Sequence, residues 1–343
     1  MCIILSKTKL ILQNTTAHKT RHMPIKIICP YTHEELVPTE SGLVRSKNGQ
    51  LKYVLKNGAY RVAPEENYTE NFGLEWNTFQ KTQIDKFNGT SISKNRFFSE
   101  SRWPEDLSNE NILEVGSGAG RFSQIVLDHT NANLYSVDYS DAVSANFKNN
   151  GPNSRLNLFQ ASIYELPFEK NSFDKVFCFG VLQHTPDFKK SVKCLINMVK
   201  PNGELVVDFY PIKGWYSKIN AKYLLRPFTK KMSTEKLLTI IENNIDWLIK
   251  LYRFNQKIGL GFLNRFVPIC DIDSTFPRSV SQIREWAILD TFDMYSPAYD
   301  NPQRLETVKS WFEELGLKNV KAEMIEYEKG LWVATVRGNK NNE

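Results

Sequence analysis

The chain has 343 residues, 41% of them hydrophobic and 24% charged, and a formal net charge of +6. These proportions exclude a disordered or fibrous chain, and no apolar run approaches the roughly 20 residues that a membrane-spanning helix needs. The charge is uneven: residues 1–60 carry nine Lys/Arg against three Asp/Glu, and the remainder balances at 35 against 35. A basic N-terminal segment reads first as a solvated face or loose tail, and only second as a surface for phosphates. The five cysteines (Cys2, Cys29, Cys178, Cys194, Cys270) are odd in number and irregularly spaced. Cys178 falls in an apolar strand-like run and Cys194 on an apolar helix face, so both read as reduced core thiols, which suits the cytoplasm. The opening apolar stretch is broken by Lys7 and Lys9 and lacks a small-residue cleavage site, which argues against a secretion signal.

Taken in order, residues 1–22 are weakly patterned and read as a disordered extension, with Met23 an alternative start. Residues 23–66 give short β-like runs near 25–28, 42–45, 52–55 and 59–62, with turn formers at Asn48-Gly49 and Asn57-Gly58. They predict a small β module. Within it, Cys29 and His33 form half of a zinc-type pair, but no second pair follows before the main domain, so no metal is expected. Residues 68–85 are rich in aromatics. Phe72, Trp76 and Phe79 recur at i, i+4 and i+7, which is one face of a helix. That helix either packs on the main domain or brings Trp76 over a ligand.

The stretch 111–122 organises the rest of the chain. Ile112, Leu113 and Val115 form an apolar run, three glycines (Gly116, Gly118, Gly120) break it, and a helical pattern begins at Arg121. A strand, a glycine loop and a helix N-terminus form a site for electron-rich groups, because the opening amides lack partners and nothing blocks the backbone. Further strands are expected at 134–137, 155–160, 173–179 and 204–209, with helices at 141–149 and 187–199 between them. This alternation predicts a mainly parallel sheet with helices on both faces. The rhythm lapses at 211–290, where mixed apolar and basic residues predict a helical cap over the strand ends. A helix near 302–315 and two closing strands, near 320–327 and 331–337, come last, the strands as antiparallel neighbours.

The glycine spacing decides between nucleotide chemistries. A dinucleotide fingerprint from Gly116 needs glycine at 121, where the chain has Arg121. The glycines fall instead as G-x-G-x-G after the acidic Glu114. Asp138 closes the second strand, 18 residues beyond Gly120, where a carboxylate can accept from two ribose hydroxyls.

With those residues, and with Ser162-Ile163, Phe173-Asp174, Gly180-Val-Leu-Gln-His184 and Lys200-Pro-Asn-Gly203 coming in order, residues 111–209 resemble class I S-adenosylmethionine-dependent methyltransferases. The resemblance implies a doubly wound, Rossmann-like α/β fold with a seven-stranded, mostly parallel sheet. The catalytic domain would comprise 67–210 and 291–338, with 211–290 as the helical cap insertion and 23–66 as the N-terminal β module. It also implies S-adenosylmethionine as cofactor. Gly116, Ser117, Gly118 and Gly120 would carry the methionine portion, Glu114 would orient its ammonium and Asp138 would hold the ribose. Tyr139, Ser162 and Ile163 would surround the adenine, and Gly180 and Val181 would lie near the sulfonium. The family commonly has Asp where this chain has Ser162, a weaker neutral acceptor.

His184 is the best-placed base for an acceptor that must lose a proton, with Asp208 and Tyr210 as second choices. Trp76, Tyr210 and Tyr295 are candidate substrate-side contacts, and Asp300 a cap-side one. Residues 180–186 lack the Asn/Asp-Pro-Pro-Tyr signature of nucleobase and glutamine N-methylation and look more like the quinone-biosynthesis type. Residues 72–85 and 293–300 look like uncharacterised bacterial methyltransferases that accompany polysaccharide or secondary-metabolite pathways. The expectation is therefore methyl transfer to an oxygen or carbon nucleophile of a small molecule. The alternatives are an RNA methyltransferase and a non-catalytic scaffold of the same fold.

Overall fold

The computed structural model describes residues 23–64, 67–212, 214–270 and 279–342. The expected extension at 1–22, with Cys2, lies outside the described residues.

Five strands come first among the described residues: β1 (Ile27–Ile28), β2 (Glu35–Thr39), β3 (Gly42–Arg45), β4 (Leu51–Lys56) and β5 (Ala59–Arg61). Three helices follow, α1 (Glu70–Thr78), α2 (Asp85–Asn88) and α3 (Ile92–Ser101). The alternating core is β6 (Asn111–Val115), α4 (Arg121–His129), β7 (Asn133–Asp138), α5 (Ala142–Asn150), β8 (Leu156–Gln160), β9 (Phe173–Cys178), α6 (Phe188–Met198) and β10 (Val199–Phe209). Then come α7 (Ala221–Thr229), α8 (Thr234–Lys257), α9 (Val280–Tyr295), α10 (Leu305–Glu314), β11 (Leu317–Glu328) and β12 (Leu331–Lys340).

The twelve strands among the described residues join one sheet in the order β1-β2-β3-β4-β5-β8-β7-β6-β9-β10-β12-β11. From β5 through β10 the pairings are parallel, and β12 runs antiparallel between β10 and β11. The N-terminal strands are therefore not a module apart from a seven-stranded sheet, as the sequence suggested. β5 pairs in register with β8, Ala59 opposite Leu158, and carries the sheet outward. The edge of a twisted sheet is a row of open hydrogen-bonding groups, and a neighbouring strand is a direct way to cover it.

Side chains alternate across the sheet, so each strand feeds two cores. Leu113, Tyr135, Phe159, Val176 and Val207 face one side with Val192 and Leu195 of α6 and Val308 and Phe312 of α10. Ile112, Leu134, Leu158, Phe177 and Val206 face the other, with Phe97 of α3, Phe122 and Ile125 of α4 and Val143 of α5. Large side chains buried this way stabilise by about 1.5–3 kcal/mol each. A third core joins α8 (Leu237, Ile241, Ile245, Leu248) to α9 (Ile288, Leu289, Phe292) and to Phe79, with Trp76 of α1 packed on its edge. The aromatic helix and the cap thus share one hydrophobic seam. α9 runs unbroken past the expected cap boundary at 290 to Tyr295.

Candidate functional site

The parallel strands β6, β7 and β9 end on the same edge of the sheet, and the chain after each turns into one cavity of about 490 Å³. The glycine loop follows β6. Gly116 has φ +85°, and a Cβ there would lie 2.1 Å from Val181 Cγ2. Gly118 has φ +51°, with the Trp76 indole 3.1 Å from where its Cβ would sit. At Gly116 only glycine fits, and at Gly118 a side chain would strain the backbone and crowd the indole. The Gly118 amide donates to Asp138 Oδ2 at 2.8 Å, while the Ser140 amide and hydroxyl donate to Oδ1 at 2.8 and 2.7 Å. Burial pushes the Asp138 carboxyl up, and these donors oppose the shift.

Gly116, Ser117, Gly118, Asp138, Tyr139, Ile163, Gly180 and Val181 all line the cavity. The Ser117 hydroxyl is buried there without a hydrogen-bond partner. Three other expected residues stand behind the wall. Gly120 packs against Asn146 and Asn150 of α5. Ser162 accepts from the Tyr164 amide at 3.2 Å and so closes its own turn. Glu114 accepts from the hydroxyls of Ser123 and Ser136, the latter at 2.8 Å. Burial lifts its carboxyl to about 7. Glu114 is thus absent from the cavity lining and braces the loop from beneath. The strand period explains it, since Leu113 and Val115 point to one face and Glu114 to the other.

His184, which also lines the cavity, follows β9 in a short 3-10 turn at Leu182–His184. Its Nδ1 lies 3.1 Å from the Tyr299 carbonyl. A carbonyl can only accept, so Nδ1 carries the proton and Nε2 keeps its lone pair. Nε2 has no hydrogen-bond partner and lies 3.8 Å from Asp293 Oδ1, whose other oxygen accepts from the Tyr210 hydroxyl at 2.9 Å. Burial lowers the His184 pKa, with Asp293 opposing. The Phe72 and Tyr210 rings flank the imidazole at 5.4 and 5.7 Å.

Asp208 lies wholly inside. It accepts from the Gly180 amide and from Arg96, which also donates to Glu100 at 2.8 Å. Asp208 is therefore an anchor for the turn after β9 and does not line the cavity.

Tyr295, expected on the substrate side, is buried in the core of the cap, because α9 continues through it and its helical position faces α8. Asp300 does not line the cavity but pairs at 2.8 Å with Lys222, which does. The structure also brings in residues that sequence reading passed over. Trp286, Asp290, Asp293 and Met294 line the cavity from α9. They recur at i, i+4, i+7 and i+8, a helical face that periodicity alone could have exposed. Arg96 and Arg121 line it from α3 and α4, and no local pattern marks them.

Residues 113–207 match the family model described as a methyltransferase domain. Over that stretch the chain carries a methyltransferase domain, in line with the resemblance its motifs show. This methyltransferase domain is 31% identical over 113 residues to a tRNA U34 carboxymethyltransferase of Pseudoalteromonas atlantica, covering 32% of this chain and 35% of that one. It is 31% identical over 101 residues to a ubiquinone biosynthesis O-methyltransferase of Coxiella burnetii, covering 29% and 43%. The matched stretch thus spans well under half the length of these relatives. Among solved structures, a 1,6-didemethyltoxoflavin-N1-methyltransferase of Burkholderia thailandensis is 11% identical with a TM-score of 0.43, covering 90% of this chain and 96% of that one.

Proposed function

We propose that the protein transfers the methyl group of S-adenosylmethionine to an oxygen or carbon nucleophile of a small molecule, such as a metabolite, a sugar or a quinone-like compound. One observation carries this reading. The glycine loop, Asp138, His184, Tyr210 and Trp286 all line one cavity. When bound, the cofactor supplies a methyl group already activated by the sulfonium charge.

The residues present fit that cofactor. Ser117 offers an unpartnered buried hydroxyl between Gly116, where a Cβ would meet Val181 at 2.1 Å, and Gly118. Gly116, Ser117 and Gly118 hold the methionine portion, and Glu114 braces them through Ser123 and Ser136. Asp138 accepts from the ribose hydroxyls, for which a carboxylate has lone pairs to spare. Tyr139 and Ile163 flank the adenine, Ser162 shapes the turn beneath it, and Gly180 and Val181 lie nearest the reacting centre. With the methyl group activated, alignment and exclusion of water are the main tasks left to the protein. Trp76 and Trp286 close the cavity for that purpose. His184, neutral and with Nε2 unprotonated, takes the proton from an acceptor hydroxyl. In domain terms, 67–210 and 291–338 act as the catalytic unit and 211–290 as the cap that shapes the acceptor's space.

Transfer to RNA is the second reading, favoured by the tRNA-directed relative. Four of the nine cations of residues 1–60 fall within 1–22, outside the described residues. The test is calorimetry with S-adenosylmethionine. Micromolar binding that Asp138→Ala abolishes supports the reading, and the absence of any heat sinks it in favour of a non-catalytic scaffold. Incubation with labelled cofactor and cell extract, with and without ribonuclease, then separates a metabolite acceptor from RNA.

A further inference from the structure

The cap presents two apolar stripes where a globular helix needs one. On α8, Leu237, Ile241, Ile245, Leu248 and Tyr252 pack into the core. A second stripe, Ile240, Trp247, Leu251, Phe254 and Ile258, lies on the surface. At about 100° per residue these five positions fall within an arc of about 60° and extend about 27 Å along the helix. Trp247 is 52% exposed and Phe254 57%.

A turn packed beside the end of α8 adds to this exposed apolar surface. Asn255 of α8 donates to Asn264 at 2.9 Å, and Asn264 donates back to the Tyr252 carbonyl at 3.1 Å. That pairing sets the 3-10 turn Gly261–Phe266 beside the end of α8, with Phe262 68% exposed. On α7, which precedes α8, Phe228 is 67% exposed. Of the 24 large hydrophobic side chains exposed among the described residues, 15 lie in 216–266. A concentration of this kind marks a surface that meets something apolar.

The charge of the same segment says what. Residues 214–270 carry ten Lys/Arg against three Asp/Glu, and Lys230, Lys231, Lys236, Lys250, Arg253 and Lys257 are all exposed. A second copy docked face to face would set one cationic surface against another. Nucleic acid would satisfy the cations and could stack on Trp247 and Phe254, but would leave Ile240, Leu251 and Ile258 uncompensated. An anionic bilayer satisfies both, taking apolar side chains at the acyl boundary and cations at the headgroups. No helix among the described residues is long and apolar enough to cross a membrane, so the contact is with the surface. We propose that α8 and the 261–266 turn form a docking face for an anionic lipid bilayer.

The experiment is sedimentation of the full chain with vesicles. The arms are phosphatidylcholine alone and phosphatidylcholine mixed with phosphatidylglycerol. The protein is expected to pellet with the mixed vesicles at least about tenfold more than with phosphatidylcholine alone, and to be released as salt rises. Phe254→Ser with Phe262→Ser is expected to abolish pelleting while the cooperative melt of the protein persists, since both side chains are exposed. Equal pelleting with both vesicles, none with either at low salt, or pelleting that survives the double substitution would overturn the proposal. So would a concentration-dependent dimer that the same substitution dissolves, which would assign the face to a second copy. None of these outcomes depends on whether the protein transfers methyl groups.

Discussion

Glu114 makes a quantitative claim on how this fold responds to pH. Its carboxyl is buried beneath the glycine loop and titrates near 7 in the folded protein, against an ordinary value of 4.5. The folded state therefore holds its proton to higher pH than the unfolded state does. Below 4.5 both states are protonated and the group is neutral for stability. As pH rises through 4.5 toward 7 the unfolded chain gains by ionising first, so the folded state loses ground until both are ionised. The full loss is about 3 kcal/mol at about 1.36 kcal/mol per unit. Between about pH 5.5 and about pH 8 it comes to about 2 kcal/mol. In Glu114→Gln, the amide oxygen can still accept from Ser123 and Ser136, but nothing titrates. Chemical denaturation of both proteins at the two pH values isolates the contribution, because other titrating groups cancel in the comparison. Wild-type protein is expected to lose about 2 kcal/mol more than the variant over that interval. An equal pH dependence in the two proteins would refute the assignment of a raised pKa to Glu114 and the brace built on it.

Gly116→Ala is expected to remove cofactor binding in calorimetry and to lower stability by about 1–3 kcal/mol. The added Cβ would sit 2.1 Å from Val181 Cγ2 on a backbone at φ +85°. Wild-type affinity in that variant would disprove the claim that this loop is closed against Val181. Asp208→Asn removes one of the two carboxylates that Arg96 holds, with Glu100 remaining, and should cost about 1.5–3 kcal/mol. A melting temperature within a degree or so of wild type would show that the Arg96–Asp208 pair is not what holds the turn at Gly180.

Local pattern determined much of this molecule. The alternation of apolar strands with amphipathic helices fixes a parallel sheet, because side chains at period 2 feed two cores and helices must cover both. The glycine spacing, with Arg121 where a dinucleotide loop needs glycine and Asp138 at the next strand's end, marks the ligand chemistry. Both are legible because they rest on backbone geometry that a few adjacent residues dictate. The tertiary structure alone decided which side chains meet. Glu114 and Tyr295 turned away from the cavity because strand and helix phase, set by the cores they join, point them elsewhere. Arg96 entered it from α3, Lys222 from α7, and Trp286 and Asp293 from α9. Tyr210 reaches it just past the end of β10, where its hydroxyl donates to Asp293. The second stripe of α8 is written in the sequence at helical spacing, yet its meaning was hidden there. Only packing shows which of two apolar faces the core takes and which it leaves exposed.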